Sequence, residues 1–121
     1  MANYMGLDSH CYAVRLEDVI DDFSFKQGDD SLEVMYWRKH FPIHRWATRL
    51  FKRKGGDTSQ HQFNCEYVRI TLEDLEFLKD DMDWLDEYPY QKSDYDDFKF
   101  IKKAEEVLKR GERALYFTSW Y

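Results

Sequence analysis

The chain has little of what punctuates, staples or spans a protein. Five glycines and two prolines in 121 residues argue against a loop-rich or disordered polypeptide. Its two cysteines, Cys11 and Cys65, are too few for a disulfide framework and form no C-x-x-C pair, so a reducing, cytoplasmic setting suits them best. No apolar run approaches the roughly 18 residues a membrane helix needs. The opening residues hold no basic stretch followed by an apolar one, so a secretory leader is also disfavoured. A Gly-x-Ser-x-Gly elbow, a Walker loop and a dinucleotide glycine fingerprint are all missing, which removes the usual signatures of hydrolases and nucleotide enzymes. There is no internal repeat and no low-complexity segment.

What the chain does have is ring area. Aromatic residues make up 18% of it, with nine Tyr, nine Phe and four Trp, so few side chains suffice to hold a small core. Its length predicts one domain, residues 1–121, with a core of its own. The net charge of −6 opposes non-specific attraction to nucleic acid, but the charge is unevenly spread. Cations dominate residues 38–54 and carboxylates residues 73–97, which predicts a basic end and an acidic end.

Periodicity supplies the elements. His10-Cys-Tyr-Ala-Val-Arg-Leu16 alternates and reads as a half-buried strand with Tyr12, Val14 and Leu16 on one face. The acidic stretch to Asp29-Asp30 reads as a loop with a short helical turn. Leu32-Glu-Val-Met-Tyr-Trp37 reads as a strand or as extended chain feeding a helix. Pro42 suits a first helical turn and Gly55-Gly56 a stop, so a helix is expected between them. Its apolar face would hold Ile43, Trp46, Ala47, Leu50 and Phe51, opposite Arg45, Arg49, Lys52 and Arg53. Residues 57–63 read as a polar, mobile loop. Glu66-Tyr-Val-Arg-Ile70 is a second strand, running into Thr71-Leu-Glu-Asp74, where Thr71 can cap a helix. That helix carries Leu72, Leu75, Leu78, Met82 and Leu85 in one stripe, with Phe77 and Trp84 elsewhere. Beyond a break at Tyr88-Pro-Tyr90, a third helix opens at Ser93 or Asp94 and ends at Lys109-Arg-Gly111. Its apolar face would hold Phe98, Ile101, Ala104 and Leu108, with Phe100 and Val107 alongside. The segment from Arg113 on alternates as a last strand. Strands at both ends and in the middle, separated by helices, predict an α+β fold: a small, largely antiparallel sheet with about three helices on one face.

The densest run of interaction-prone side chains is Tyr36-Trp-Arg-Lys-His-Phe-Pro-Ile-His-Arg-Trp46. Arg38, Lys39, Arg45 and Arg49 offer donors for phosphate or carboxylate, and Tyr36 or Trp37 could stack on a planar ring. The plainer account is a solvated basic helix face opposite the acidic helices. His40 and His44 stand four apart, as do His61 and Cys65, a spacing known from metal sites. Pro42 interrupts the first pair and the second falls in a loop, so ordinary surface or boundary histidines and a small buried thiol explain them better. Cys65 as a nucleophile lacks an identifiable base or helix N-terminus. Adjacent carboxylates such as Asp80-Asp81 and Asp96-Asp97 point apart on a helix and suit a solvated face.

Several of these segments, in order, resemble a widespread family of small uncharacterised proteins from phages and bacteria. The resemblance rests on Met5-Gly-Leu-Asp8 before aromatic strand residues, Tyr36-Trp-Arg-Lys39 with Ile43-His-Arg-Trp46, and Asn64-Cys65 before a tyrosine-bearing strand. Thr71-Leu-Glu-Asp-Leu75, Asp94-Tyr-Asp-Asp97 and Tyr116-Phe-Thr-Ser-Trp120 complete it. Some members carry a phosphoglycerate kinase label, for which this chain lacks both the size and the nucleotide-binding glycines. It departs from the family at Pro42, where a helix-friendly residue is usual, and in Glu87-Tyr-Pro-Tyr-Gln-Lys-Ser93, which stands for a longer loop. The resemblance implies phage origin and action in the host cytoplasm, and assigns no reaction.

Together these features lead to the expectation of a non-enzymatic phage accessory protein. It would bind a host protein or other macromolecule, or a small anionic, nucleotide-like ligand, through Tyr36, Trp37, Arg38, Lys39, His40, His44 and Arg45, joined by Ser119 and Trp120. Neither a membrane, nor a metal, nor a cofactor is expected, and nucleic acid is not the favoured partner. One alternative is a phosphoester- or nucleotide-processing enzyme with His44, titrating near neutrality, as general acid or base. Another is a structural homo-oligomer that self-associates through Phe77 and Trp84.

Overall fold

The computed structural model describes residues 6–28, 30–58, 63–81 and 97–121. Its elements run β1 (Asp8–Arg15), a 3-10 turn (Leu16–Asp18), β2 (Val19–Asp21), β3 (Ser24–Phe25), β4 (Leu32–Arg38) and α1 (Phe41–Arg53). They continue with β5 (Tyr67–Ile70), α2 (Leu72–Asp80), α3 (Asp97–Lys109) and β6 (Arg113–Trp120). Four strands form one antiparallel sheet in the order β4-β1-β6-β5, and β2 pairs with β3 in a separate hairpin. The α+β expectation holds. No helix among the described residues is long and apolar enough to cross a membrane.

Local chemistry sets the helix ends. Pro42 sits in the first turn of α1, where its missing N–H costs nothing. At the other end Gly55 adopts φ +106°, and the N–H groups of Gly55 and Gly56 donate to the carbonyls of Lys52 and Phe51. That pair of bonds closes the helix as a left-handed cap, which a Cβ at position 55 would strain. Thr71 and Asp74 form a reciprocal capping box at the start of α2. Lys54 Nζ donates to Asp74 at 2.7 Å and to the Arg69 carbonyl at 2.5 Å, tying the end of α1 to the start of α2.

The main core lies between the helices and one face of the sheet. Cys11, Ala13, Trp37, Val68, Ile70, Leu115 and Phe117 point into it from the strands. The α1 stripe Ile43, Trp46, Ala47, Leu50 and Phe51 is buried against them as expected, and Arg45, Arg49, Lys52 and Arg53 are exposed. A smaller cluster of Val14, Phe25, Ala114 and Tyr116 occupies part of the other sheet face, beneath the β2-β3 hairpin. The Tyr116 hydroxyl donates to the carbonyls of Asp21 and Ser24 and pins that hairpin down. β6 is therefore buried on both faces from Ala114 to Ser119, not on one.

Five expectations need correction. The acidic stretch to Asp30, read as a loop with a short helical turn, has that turn at Leu16–Asp18 but then forms the paired strands β2 and β3. Leu16 leaves the strand for the 3-10 turn and is exposed, and the more deeply buried face of β1 is that of Cys11 and Ala13. Phe63, placed in a polar loop, is fully buried and packs against Phe51 and Phe117. Phe98 is 64% exposed, because the inward stripe of α3 runs through Asp97, Phe100, Ile101 and Ala104. Leu72 is exposed at the start of α2, where Leu75 and Leu78 are the buried members among the described residues of its stripe. Met5, His61, Met82, Trp84, Leu85, the Tyr88-Pro-Tyr90 break and the Ser93 or Asp94 helix start lie outside the described residues.

Candidate functional site

Strand alternation divides the Tyr-Trp-Arg-Lys segment between two sides of the sheet. Tyr36 and Arg38 face away from the helices and are exposed. Trp37 turns inward, is 3% exposed, and meets Phe100 edge-on at 4.8 Å and Phe117 at 5.5 Å. The stacking area expected of Trp37 is therefore spent in the core, and Trp46 is equally interred. A strand residue beside a layer of helices is drawn in when its ring fills the layer between them, and Trp37 does so.

The two histidines of the segment are structural as well. His40 caps α1: its Nδ1 accepts from the Ile43 N–H at 3.3 Å. Its Nε2–H donates to both oxygens of Asp97 at 3.0 Å, at the start of α3. An acceptor at Nδ1 and a donor at Nε2 define one neutral tautomer facing a carboxylate. Asp97 points inward here, on the buried side of α3 with Phe100, Ile101 and Ala104, and Phe98 points outward. His44 lies in the first half of α1, against Phe63 and, edge-on at 5.2 Å, Tyr121. Burial and then the neighbouring Arg45 charge lower its pKa to about 4. A side chain so placed is neutral at pH 7, which corrects the expectation of a group titrating near neutrality.

The remaining candidates separate by face. Arg45 is exposed on the outer side of α1, across the helix layer from Tyr36 and Arg38. Lys39 is exposed in a left-handed conformation, φ +58°, with its N–H donating to the Leu7 carbonyl. Ser119 is fully buried on the helix side, paired with Ser9 at 2.8 Å, so it fastens β6 to β1 rather than lining a surface. Trp120, the next residue, emerges on the open face.

There it meets a residue that sequence patterning did not single out. The ring of His10, on β1, lies at the centre of an aromatic surface. Tyr12 stacks on it at 5.6 Å, Tyr36 of β4 approaches to 4.9 Å and Trp120 of β6 to 5.4 Å. Tyr36 is 47% exposed and Trp120 48%. Two carboxylates hold the rings in place: the Tyr36 hydroxyl donates to Asp8 at 2.6 Å, and His10 Nδ1–H donates to Glu33 at 2.5 Å. The bond to Asp8 raises the Tyr36 pKa above its ordinary value, and burial, followed by the Glu33 charge, does the same for Tyr12. No described helix covers this part of the sheet. The alternation of Tyr12 marked its face, but the meeting of His10 with Tyr36 and Trp120 depends on strand order.

Elsewhere the chemistry is modest. Cys11 is buried and burial pushes its thiol pKa up, which leaves a small apolar side chain. Cys65, expected as a small buried thiol, is instead exposed, at φ +63°; its N–H donates to the Ser119 carbonyl, while Asn64 clasps the backbone of Tyr121. Among the described residues no group of three or more His, Cys, Asp or Glu side chains is placed to hold a metal. A cleft of about 320 Å³ lies between the far end of β4 and α3, its floor formed by Ala13, Leu32, Val34 and Val107 and its rim by charges of both signs. Neither Tyr36 nor Trp120 reaches it. Set against protein-family models, curated proteins and solved structures, the chain matches none.

Proposed function

We propose that this chain is a binding protein, without a reaction of its own, that docks an anionic, ring-bearing ligand on the open face of its sheet. The observation behind this reading is the pair of half-exposed rings, Tyr36 and Trp120, held at the flanks of His10 beside the exposed Arg38. Exposed indole and phenol rings offer stacking area, and a guanidinium fork suits phosphate or carboxylate. The rings are fixed by hydrogen bonds and packing before any ligand arrives, so little side-chain entropy is lost on docking. A nucleotide-like ligand, free or as part of a macromolecule, combines the two features.

Titration with adenosine monophosphate, followed by amide NMR shifts, tests this. Shifts are expected at Tyr36, Arg38 and Trp120, and Trp120→Ala and Arg38→Ala should each weaken binding about tenfold or more. Ribose 5-phosphate, which lacks the ring, should bind more weakly than the nucleotide. Shifts absent at millimolar nucleotide, or confined to α1, would overturn the reading.

A further inference from the structure

We infer that the ligand of the open face is single-stranded nucleic acid, with Tyr36 and Trp120 stacking two bases of one extended strand while Arg38 and Lys39 meet its phosphates. This rests on the ring-and-anion reading above and narrows it. Tyr36 stands on β4 and Trp120 on β6, with β1 between them. Tyr36 pairs with His10 and Trp120 with Asp8, so two interstrand steps and a two-residue offset separate their backbones by about 12 Å. His10 fills the interval, with its ring centroid 4.9 Å from one and 5.4 Å from the other. Bases in a helical stack are about 3.4 Å apart, too close to rest on both rings as neighbours. Bases inside a duplex expose no ring face at all, so a duplex has nothing to lay on this surface. A single strand with its bases splayed across the sheet satisfies both rings.

Charge sets how tightly such a strand is held. The exposed Arg38 lies two residues beyond Tyr36 on the same face, and Lys39 follows it at the rim. Asp8 and Glu33 share the face, each already accepting a hydrogen bond from Tyr36 or His10. The surface is thus close to charge balance, and stacking must supply most of the affinity, about 1–3 kcal/mol per base. A site of this kind is compatible with a net charge of −6, because it does not depend on a basic field. Two phosphates neutralised at about 0.7 each give a shallow salt slope, about −1.4 in log K against log salt.

The test is fluorescence anisotropy of a fluorescein-labelled thymidine hexanucleotide at low salt. The hexanucleotide should bind at least about tenfold more tightly than thymidine monophosphate competes, with the shallow slope above. Tyr36→Ala and Trp120→Ala should each lose about 5- to 100-fold, and Tyr36→Phe, which keeps the ring, about twofold or less. Arg49→Glu, on the far side of the helix layer, should leave binding unchanged. Circular dichroism and thermal unfolding establish that each variant is folded. Equal affinity for monomer and hexamer overturns the two-base inference but leaves the wider reading standing; binding of neither removes both. A steep salt slope abolished by Arg49→Glu would assign the contact to the cations of α1 instead. Displacement of the hexanucleotide by cellotriose at comparable concentration would mark a sugar platform and overturn it.

Discussion

Trp37 and Trp120 stand on the same four-stranded sheet and meet opposite surroundings. Trp37 is packed between Phe100 and Phe117 under the helices, and Trp120 lies half-exposed beside His10 on a part of the opposite face that no described helix covers. The same division runs through the polar groups. On the covered side His40 and Asp97 satisfy each other out of contact with water, and Ser9 pairs with Ser119. On the open side His10 and Glu33, and Tyr36 and Asp8, pair at the surface and orient rings that remain accessible. Similar residue types thus hold the fold together on one face and present a surface on the other. What separates the two is whether a second layer covers them.

That contrast can be broken by substitution. Trp37→Ala should destabilise the protein by about 3–5 kcal/mol through lost burial and a residual cavity, whereas Trp120→Ala should cost about 1 kcal/mol or less. Urea denaturation of both variants measures the difference, and equal losses would refute the assignment of faces. His40→Ala removes one partner of a buried pair and the cap of α1 together, leaving the Asp97 carboxylate without its imidazole donor. A loss of about 3 kcal/mol is expected. Its effect should be much less than additive with that of Asp97→Ala in a double-mutant cycle.

A pH-dependent effect comes from His44, on the covered side. Its folded pKa of about 4 lies below the ordinary value of 6.5, so between those limits the unfolded chain takes up a proton that the folded protein does not. Stability from this group is therefore complete above pH 6.5 and falls as the pH drops toward 4, by up to roughly 3 kcal/mol. Denaturation midpoints measured across that range should decline for the native chain and decline less for His44→Asn. At the join of the two faces, Lys39 holds φ +58° without being glycine. Relief of left-handed strain outweighs the added chain entropy in Lys39→Gly, so a gain of about 0.5 kcal/mol in thermal unfolding is expected.

Much of the scaffold was legible because its signals are local. Pro42 and Gly55 bracket α1, Thr71 and Asp74 announce α2, and the Ile43, Trp46, Ala47, Leu50 and Phe51 stripe is buried as its spacing foretold. The candidate site was legible only in part. Tyr36, Arg38 and Trp120 reach the open face, but Trp37, His40, His44 and Ser119 are absorbed by packing and Arg45 lies across the helix layer. Period-two alternation sorts Tyr36 from Trp37 into separate sets without saying which set faces inward. Phe98 misled for a related reason: its helical spacing was apolar, but the inward side of α3 runs through Asp97, Phe100, Ile101 and Ala104.

By itself, then, the amino-acid sequence determined the helices, the strands β1, β5 and β6, the ends of α1 and the start of α2, because these depend on neighbours a few residues away along the chain. Only the tertiary structure decided that His10, Tyr36 and Trp120 form one aromatic surface and that His40 meets Asp97. Those contacts join residues far apart in sequence, and strand order and helix docking, not local spacing, bring them together.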